Sequence, residues 1–501
     1  MRAEPKTLRD ALIARAASDP DRIAYDDGER RITFGELAGS AERRAGQLAA
    51  MGVGPGDRVA LVMAAGIPFA ETFWTLQLLG ATSCSFNPAV PMQTLERRIE
   101  GIRPRLVLTD DWRDDASPVA GPAPEPQLGE DAIAFMQPTS GTSGEPRAAM
   151  IRHRNVVGYL RETNSRDKTT EAGVLVAWVP PWHDLGLIKF VIAAVYHGAV
   201  CHIVPPAVRT IPDWLGTISR VRGTMTGAPD FAYRLACRMV DPGSVDLSSL
   251  RYCINGGEPV RRSTIDRFER RFGVNAVVQP GYGLAETTLG VAAHPLGEPL
   301  TVDRSGNVSC GTPLPGVEVR ASGDASAPGE ILVRTDYIFA GYFDAVDETR
   351  KCLRDGWLHT GDVGYLADDG QLYVLGRRRA MLKRGGAVVP PRELEEAAEE
   401  VDGVRLAAAV SLPAPSAVSE VITVVIEPTR AGEGPSTELS VEVSRAIAAT
   451  SGFTPGEVVI VAPRTVPLTP NGKVRYDLLR TMLSDGIIRP AAAEGSEAFA
   501  G

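Results

Sequence analysis

Lysine is scarce in this 501-residue chain: of 53 basic residues only six are lysine, leaving 53 − 6 = 47 arginines. A lysine inside a motif therefore carries more weight than usual. Cysteine and histidine are equally sparse, six of each. Cys84, Cys201, Cys237, Cys253, Cys310 and Cys352 are scattered and form no Cys-x-x-Cys pair, which excludes paired-thiol zinc and dithiol redox motifs. Single reduced thiols fit a cytoplasmic protein. His197 and His202 are five residues apart, not the three or four that place two metal ligands on one helix face. An excess of positive charge is also missing. The net charge of −9 argues against a nucleic-acid footprint and against an anionic membrane surface as main partner. No run of about 18 apolar residues occurs, so no membrane span is expected. The longest candidate, Phe190 to Val204, is interrupted by both histidines. The first 25 residues have no apolar signal core and read as an amphipathic helix. The tail from Arg489 to Gly501 is small and polar and reads as frayed. Three nucleotide or hydrolase signatures are absent: GxxxxGK[ST], GxGxxG and GxSxG.

Short apolar runs do occur, and they alternate with helical patterns from about Asp57 to Gln279. Arg58–Met63, Ser83–Phe86, Ala132–Met136, Val174–Trp178, Ala199–Val204, Gly223–Thr226, Arg251–Ile254 and Asn275–Val278 read as strands. Pro68–Leu79, Asp213–Val221, Phe231–Val240 and Val260–Phe272 read as helices. Alternation at this spacing predicts βαβ units and parallel sheet. After about residue 300 the pattern becomes short strands with turn-rich joins, including a hairpin from Gly364 to Val374 around Asp369-Gly370. That is antiparallel, barrel-like material. Beyond the basic run Gly376-Arg-Arg-Arg379 a small α+β pattern follows. The expected organisation is α/β: a large domain over 1–376 of parallel α/β sheets plus a small barrel-like part, a hinge at 377–379, and a small mobile domain over 380–501. Ser117 to Gln127 reads as an exposed connection.

The densest chemical signal is Thr139-Ser-Gly-Thr-Ser-Gly-Glu-Pro-Arg147, read as a loop between a strand and a helix starting near His153. Two glycines free the backbone, and hydroxyls and N–H groups there can wrap phosphate oxygens. Alone it is also an ordinary Gly/Ser/Thr turn. Four further segments change its weight: Gly281-Tyr-Gly-Leu-Ala-Glu-Thr-Thr288, His359-Thr-Gly-Asp-Val-Gly364, Gly376-Arg-Arg-Arg-Ala-Met-Leu-Lys-Arg-Gly-Gly386 and Leu468-Thr-Pro-Asn-Gly-Lys473. In this order the set resembles the adenylate-forming superfamily of acyl-CoA synthetases, peptide-synthetase adenylation domains, luciferases and fatty acyl-AMP ligases. The likeness covers nearly the whole chain, from Ile32-Thr-Phe-Gly-Glu-Leu37 onward. Trp178-Val-Pro-Pro-Trp-His-Asp-Leu-Gly-Leu-Ile188, Gly227-Ala-Pro-Asp-Phe-Ala-Tyr233, Asn255-Gly-Gly-Glu-Pro-Val260 and Val308-Ser-Cys-Gly311 look closest to fatty acyl-AMP ligases.

The resemblance implies that a carboxylic acid is activated with ATP and Mg²⁺ to acyl-AMP and pyrophosphate. The acyl group then passes to a phosphopantetheine thiol, of CoA or of a holo acyl carrier protein, unless the adenylate itself is handed on. Thr139, Ser140, Gly141, Thr142, Ser143 and Gly144 would hold the outer phosphates, with Arg147 where the family usually has lysine. Tyr282 would stack on adenine, with Gly256, Gly257, Glu258 and Gly283 around the nucleotide. Glu286 and Thr142 would bind Mg²⁺. Asp362 would accept from the ribose hydroxyls, Arg377 would reach the ribose and phosphate, and Lys473 would bridge the attacking carboxylate and the α-phosphate. Trp182, His183 and Phe231 would border the acid, and Trp178 and Tyr233 either shape that pocket or pack in the core. Gly385 and Gly386 would leave room for a pantetheine arm. Arg379 occupies the hinge position, where the family usually has Asp or Lys. A long insertion common in fatty acyl-AMP ligases is shortened or missing, because Cys310 follows Glu286 by only 310 − 286 = 24 positions. A non-catalytic nucleotide-binding homologue and a luciferase-like oxidase are the rival readings.

Overall fold

The computed structural model describes residues 4–112, 125–139, 147–384, 387–413, 420–429, 437–451, 454–468 and 474–488. The expected connection Ser117 to Gln127 falls largely outside them, and residues 140–146, Gly385, Gly386 and Lys473 lie outside them altogether. The chain divides into two compact units, residues 1–360 with 364–374, and 361–363 with 375–501.

Two sheets organise the first unit. The larger has nine strands, in the spatial order Thr312–Pro313, Gly290–Ala293, Val278–Gly283, Tyr252–Gly256, Met225–Ala228, Val174–Ala177, Val200–Ile203, Ile23–Asp26 and Arg31–Thr33. From Val278–Gly283 to Ile23–Asp26 neighbours run parallel; antiparallel strands finish both edges. Parallel strands covered on both faces read as continuous apolar runs, which is why these were legible. The smaller sheet has the order Leu106–Thr109, Arg58–Val62, Thr82–Phe86, Ile133–Thr139 and Arg147–Arg152. A third, antiparallel and barrel-like sheet contains Val317–Ala321, Gly329–Thr335 and Trp357–Leu366, the last paired with Leu372–Arg377. The fold is thus the expected mixed α/β arrangement.

Local chemistry sets the element ends. Ile32-Thr-Phe-Gly-Glu-Leu37 is a capping box opening the helix Phe34–Ala50: Thr33 Oγ1 accepts from the Glu36 N–H (3.2 Å) and Glu36 accepts from the Thr33 N–H (2.9 Å). The N-terminal helix is shorter than its pattern suggests and is only weakly amphipathic, with Leu8, Ala11 and Leu12 buried. It spans Leu8–Ser18, Pro20 follows its end, and Ile23–Asp26 joins the large sheet instead.

One local expectation is corrected. The loop after Thr139 does not lead straight into a helix. A further strand, Arg147–Arg152, precedes the helix His153–Asp167, and Thr139 pairs with Arg147 in antiparallel register. Ala148, Ala149 and Ile151 of that strand are buried, and its other edge receives the segment 340–343, through Met150 N to Gly341 O (3.0 Å) and Phe343 N to Ala148 O (2.9 Å). Residues 148–152, left without an element between that loop and the helix, form a strand because a distant segment completes their hydrogen bonds.

The second unit packs the helices Pro391–Glu399 and Thr437–Ser451 with a sheet of Val404–Pro413, Glu420–Pro428 and Glu457–Ile460. Among the described residues no helix is long and apolar enough to cross a membrane.

Candidate active site

Four parallel strands of the large sheet end at one edge. Val174–Ala177 runs into Trp178 to Asp184, Met225–Ala228 into Asp230 and Phe231, Tyr252–Gly256 into Gly257 and Glu258, and Val278–Gly283 carries Tyr282 at its end. The crevice outside the carboxyl ends of such strands is where open α/β sheets bind ligands.

Glu286 sits on the single turn Ala285–Thr287 that follows this edge. Gly283 makes the turn possible, since any side chain there would collide with the Leu289 carbonyl. The turn is held by Thr288, a buried β-branched residue at φ 68° whose hydroxyl donates to Tyr337 O (2.6 Å). Tyr342 donates its phenolic proton to Glu286 Oε1. Burial first, and the Glu286 carboxylate second, push that phenol far above its ordinary pKa, so it remains a donor. The Arg147 guanidinium lies over the Tyr342 ring, 5.3 Å from its centroid, and its Nη2 donates to Glu348 (2.6 Å). Arg147, Tyr342 and Glu286 therefore form one line from the strand Arg147–Arg152 to the turn that follows the strand Val278–Gly283.

The other side of the edge is organised by Asp230, which is 1% exposed. Its carboxylate accepts from Asn255 Nδ2 (3.2 Å), Arg261 N (3.1 Å) and Thr264 Oγ1 (2.9 Å), and pairs with Arg234 (3.6 Å). These bonds clamp both ends of Asn255-Gly-Gly-Glu-Pro-Val260. Gly257 turns the segment at φ 83°, and Glu258 Oε1 accepts from the Phe231 N–H (2.7 Å). Removing a buried carboxylate that satisfies several donors leaves those donors stranded. Asp230→Ala is expected to cost about 3 kcal/mol of unfolding free energy in chemical denaturation.

The stretch Trp182 to Asp184 is tied to the strand Ile133–Thr139: buried Gln137 donates to Trp182 O (2.8 Å). His183 Nδ1 lies 2.7 Å from Asp184 Oδ1. Trp178 and Tyr233 belong to the core. Trp178 stacks on Trp214 (5.4 Å), Trp214 meets Tyr233 edge-on (5.6 Å), and Tyr233 donates to Ile254 O (2.9 Å). Phe231 is half-buried at the end of this ladder, 6.2 Å from Trp178.

In the second unit, Asp362 is buried and pairs with Arg377 (2.8 Å). Arg379 is exposed in the turn that follows, where Ala380 N bonds Arg377 O (2.9 Å). Leu468 and Val474 form an antiparallel bridge. Two buried carboxylates anchor the flanks of that bridge. Glu427 accepts from Arg464 N (2.8 Å) and Val466 N (2.7 Å) before it, and Glu395 accepts from Tyr476 Oη (3.0 Å) after it.

The site residues thus fall into groups. Trp182, His183, Phe231, Gly256, Gly257, Glu258, Tyr282, Gly283 and Glu286 follow or end the strands of one edge, and Thr139 and Arg147 close the hairpin beside it. Asp362, Arg377 and Arg379 belong to the other unit, and Ser140 to Gly144 and Lys473 lie outside the described residues. Tyr342, Glu348, Gln137 and Asp230 were not assigned from sequence. Asp230 lies within a quoted motif, but nothing local marks Tyr342.

A family model described as AMP-binding enzyme matches residues 12–343, well over half of the chain. A Mycobacterium tuberculosis protein named as a ligase is 30% identical, across 89% of this chain and 93% of its own. A long-chain-fatty-acid–AMP ligase of Mycobacterium marinum is 26% identical across 89% of this chain and 90% of that one. Among solved structures, an anthranilate CoA ligase in complex with anthranoyl-AMP superimposes with a TM-score of 0.84, covering 96% of this chain and 98% of that chain at 21% identity. Site, fold and kinship converge: the chain belongs to the AMP-binding enzyme family, the adenylate-forming superfamily of ATP-dependent acid ligases.

Proposed function

We propose that this enzyme joins a carboxylic acid to AMP and then transfers the acyl group to a phosphopantetheine thiol. The observation that carries the reading is the Arg147–Tyr342–Glu286 line beside Tyr282 at the carboxyl edge of the sheet. In this reading Arg147 would serve the outer phosphates, Glu286 a metal, and Tyr282, at the end of the neighbouring strand, the base.

In the first half-reaction an oxygen of the acid attacks the α-phosphorus of ATP. The bond to the bridging oxygen breaks and pyrophosphate leaves with its electron pair. Charge accumulates on phosphate oxygens, so catalysis rests on fixed donors and cations. Arg147 and the loop 139–144 grip the leaving pyrophosphate. Tyr282 stacks on the base, and Glu258 stays oriented by the Phe231 N–H. A half-buried carboxylate whose hydrogen-bond partner is a neutral phenol suits Mg²⁺, which takes few protein oxygens and shares substrate phosphates. Glu286, with Thr142, would hold the ion, which when bound neutralises phosphate charge. Asp362 accepts from the ribose hydroxyls; a carboxylate has room for them beside Arg377. Lys473 joins the acid oxygen and the α-phosphate.

In the second half-reaction the thiol sulfur attacks the acyl carbon and AMP leaves with the bonding pair, the thiol proton passing to solvent. The two acceptor regimes appear among similar proteins, one named for an AMP product and one for CoA. The short separation of Glu286 and Cys310 favours thiol transfer, since the insertion expected to restrain domain rotation has no room there. Arg379, exposed in its turn, is the pivot. Arg379→Pro is expected to spare pyrophosphate exchange within about twofold and to slow thioester formation at least about tenfold, because proline fixes φ where the hinge must turn. Mass spectrometry of reactions offered CoA or a holo carrier protein tests the acceptor. A thioester with either supports the transfer; acyl-AMP accumulating with both refutes it.

A further inference from the structure

Two carboxylates cross between the acid side and the nucleotide side of the sheet edge. Asp230 and Phe231 open the helix Asp230–Met239, on the side expected to border the acid. Asn255 to Glu258 carry the strand Tyr252–Gly256 into the segment expected to lie around the base. Along the chain, Asp230 belongs to the first side and Glu258 to the second. In space each holds the other side.

The helix Asp230–Met239 has Pro229 at its N-cap and no side-chain cap of its own, so its first-turn N–H groups need an acceptor from elsewhere. Glu258 Oε1 supplies one, taking the Phe231 N–H at 2.7 Å. A carboxylate there also meets the positive end of the helix dipole. The helix Arg262–Phe272 is built the same way: its N-cap, Arg261, makes no side-chain cap. Its acceptor is Asp230, which takes the Arg261 N–H (3.1 Å), the Thr264 hydroxyl (2.9 Å) and the Asn255 amide (3.2 Å). Asn255 and Arg261 stand on either side of the segment around the base. Phe231 depends on its backbone bond more than its aromatic neighbours do. Tyr233 is fully buried, whereas Phe231 is half-buried at the open end of the ladder, 6.2 Å from Trp178.

We propose that these are crossed positioning residues. Glu258, in the nucleotide segment, sets the affinity for the acid through Phe231. Asp230, beside the acid, sets the affinity for ATP through Asn255 and Arg261. The inference rests on the ligase reading above, with Phe231 beside the acid. Without Glu258 the first helical turn is left to water, and the acid must order it on binding, a cost that enters the acid's KM. Without the Asp230 charge the segment around the base loses its hold at both ends, and the cost enters the KM for ATP.

The test is a KM split in acid-dependent ATP–pyrophosphate exchange. Glu258→Ala should raise the acid KM about tenfold, the worth of one charge-assisted hydrogen bond, and the ATP KM less than about twofold. Glu258→Gln keeps a neutral acceptor for Phe231 and should raise the acid KM only about threefold. Asp230→Asn should do the reverse, with the ATP KM up about tenfold and the acid KM within about twofold. Where the alanine or asparagine variant does not fold, the glutamine variant decides by the same split. Three results overturn the proposal: each variant moving the KM of its own side, both KM values rising together as for a merely structural role, or neither moving. Wild-type exchange that needs no acid overturns the ligase reading itself; a misdirected KM in a protein whose exchange does need acid overturns the inference alone.

Discussion

Replacing Lys473 by alanine is expected to lower acid-dependent pyrophosphate exchange by about 10²–10³-fold, the scale of losing one donor aimed at transition-state charge. The basis is its place in Leu468-Thr-Pro-Asn-Gly-Lys473, in a chain with only six lysines. Of the described flanks, Leu468 bridges Val474, Glu427 fixes the segment before the bridge, and Glu395 fixes Tyr476 after it. Acyl transfer from pre-made acyl-AMP should survive, since that half-reaction forms no bond to the α-phosphorus. The two rates, measured separately on the same variant, check the assignment. Equal loss of both would show that Lys473 supports the fold rather than adenylation.

Glu286→Gln should be nearly as damaging, with adenylation reduced about 10²-fold and the Mg²⁺ dependence shifted to higher concentration. Glutamine keeps the size and accepts the Tyr342 hydrogen bond, so unfolding stability should change little. The loss is therefore one of charge. Tyr342→Phe is the internal comparison. It keeps the negative charge and removes only its orienting donor, and should cost less than the glutamine variant. A glutamine variant with wild-type exchange at ordinary Mg²⁺ would remove Glu286 from the metal site.

Much of the scaffold was legible in the sequence for identifiable reasons. Buried parallel strands announce themselves as apolar runs, so Arg58–Val62, Val174–Ala177 and Tyr252–Gly256 were found close to their limits. Ile32 to Leu37 could be read because a capping box is local chemistry, complete within four residues. What local reading missed depends on partners far along the chain. Arg147 meets Glu348 across 201 positions, and Tyr342 meets Glu286 across 56. The strand Arg147–Arg152 was hidden for the same reason, since the segment that finishes its edge is Ala340 to Phe343. Asp230 was quoted in a motif yet given no role, because its three hydrogen-bond donors belong to the next strand's loop and helix. Composition separated Trp178 and Tyr233 from Phe231 no better than it could. All three are aromatic, and only packing tells the core ladder from its half-buried end.

The central claim is that ATP is cut between its α- and β-phosphates by a carboxylic acid. The most direct measurement is the nucleotide product, followed by chromatography with ATP labelled at the α-phosphate, in the presence of an acid that supports exchange. The account predicts label in AMP and acyl-AMP, pyrophosphate released in equal amount to their sum, and no acid-dependent ADP. Stoichiometric ADP and inorganic phosphate would contradict it.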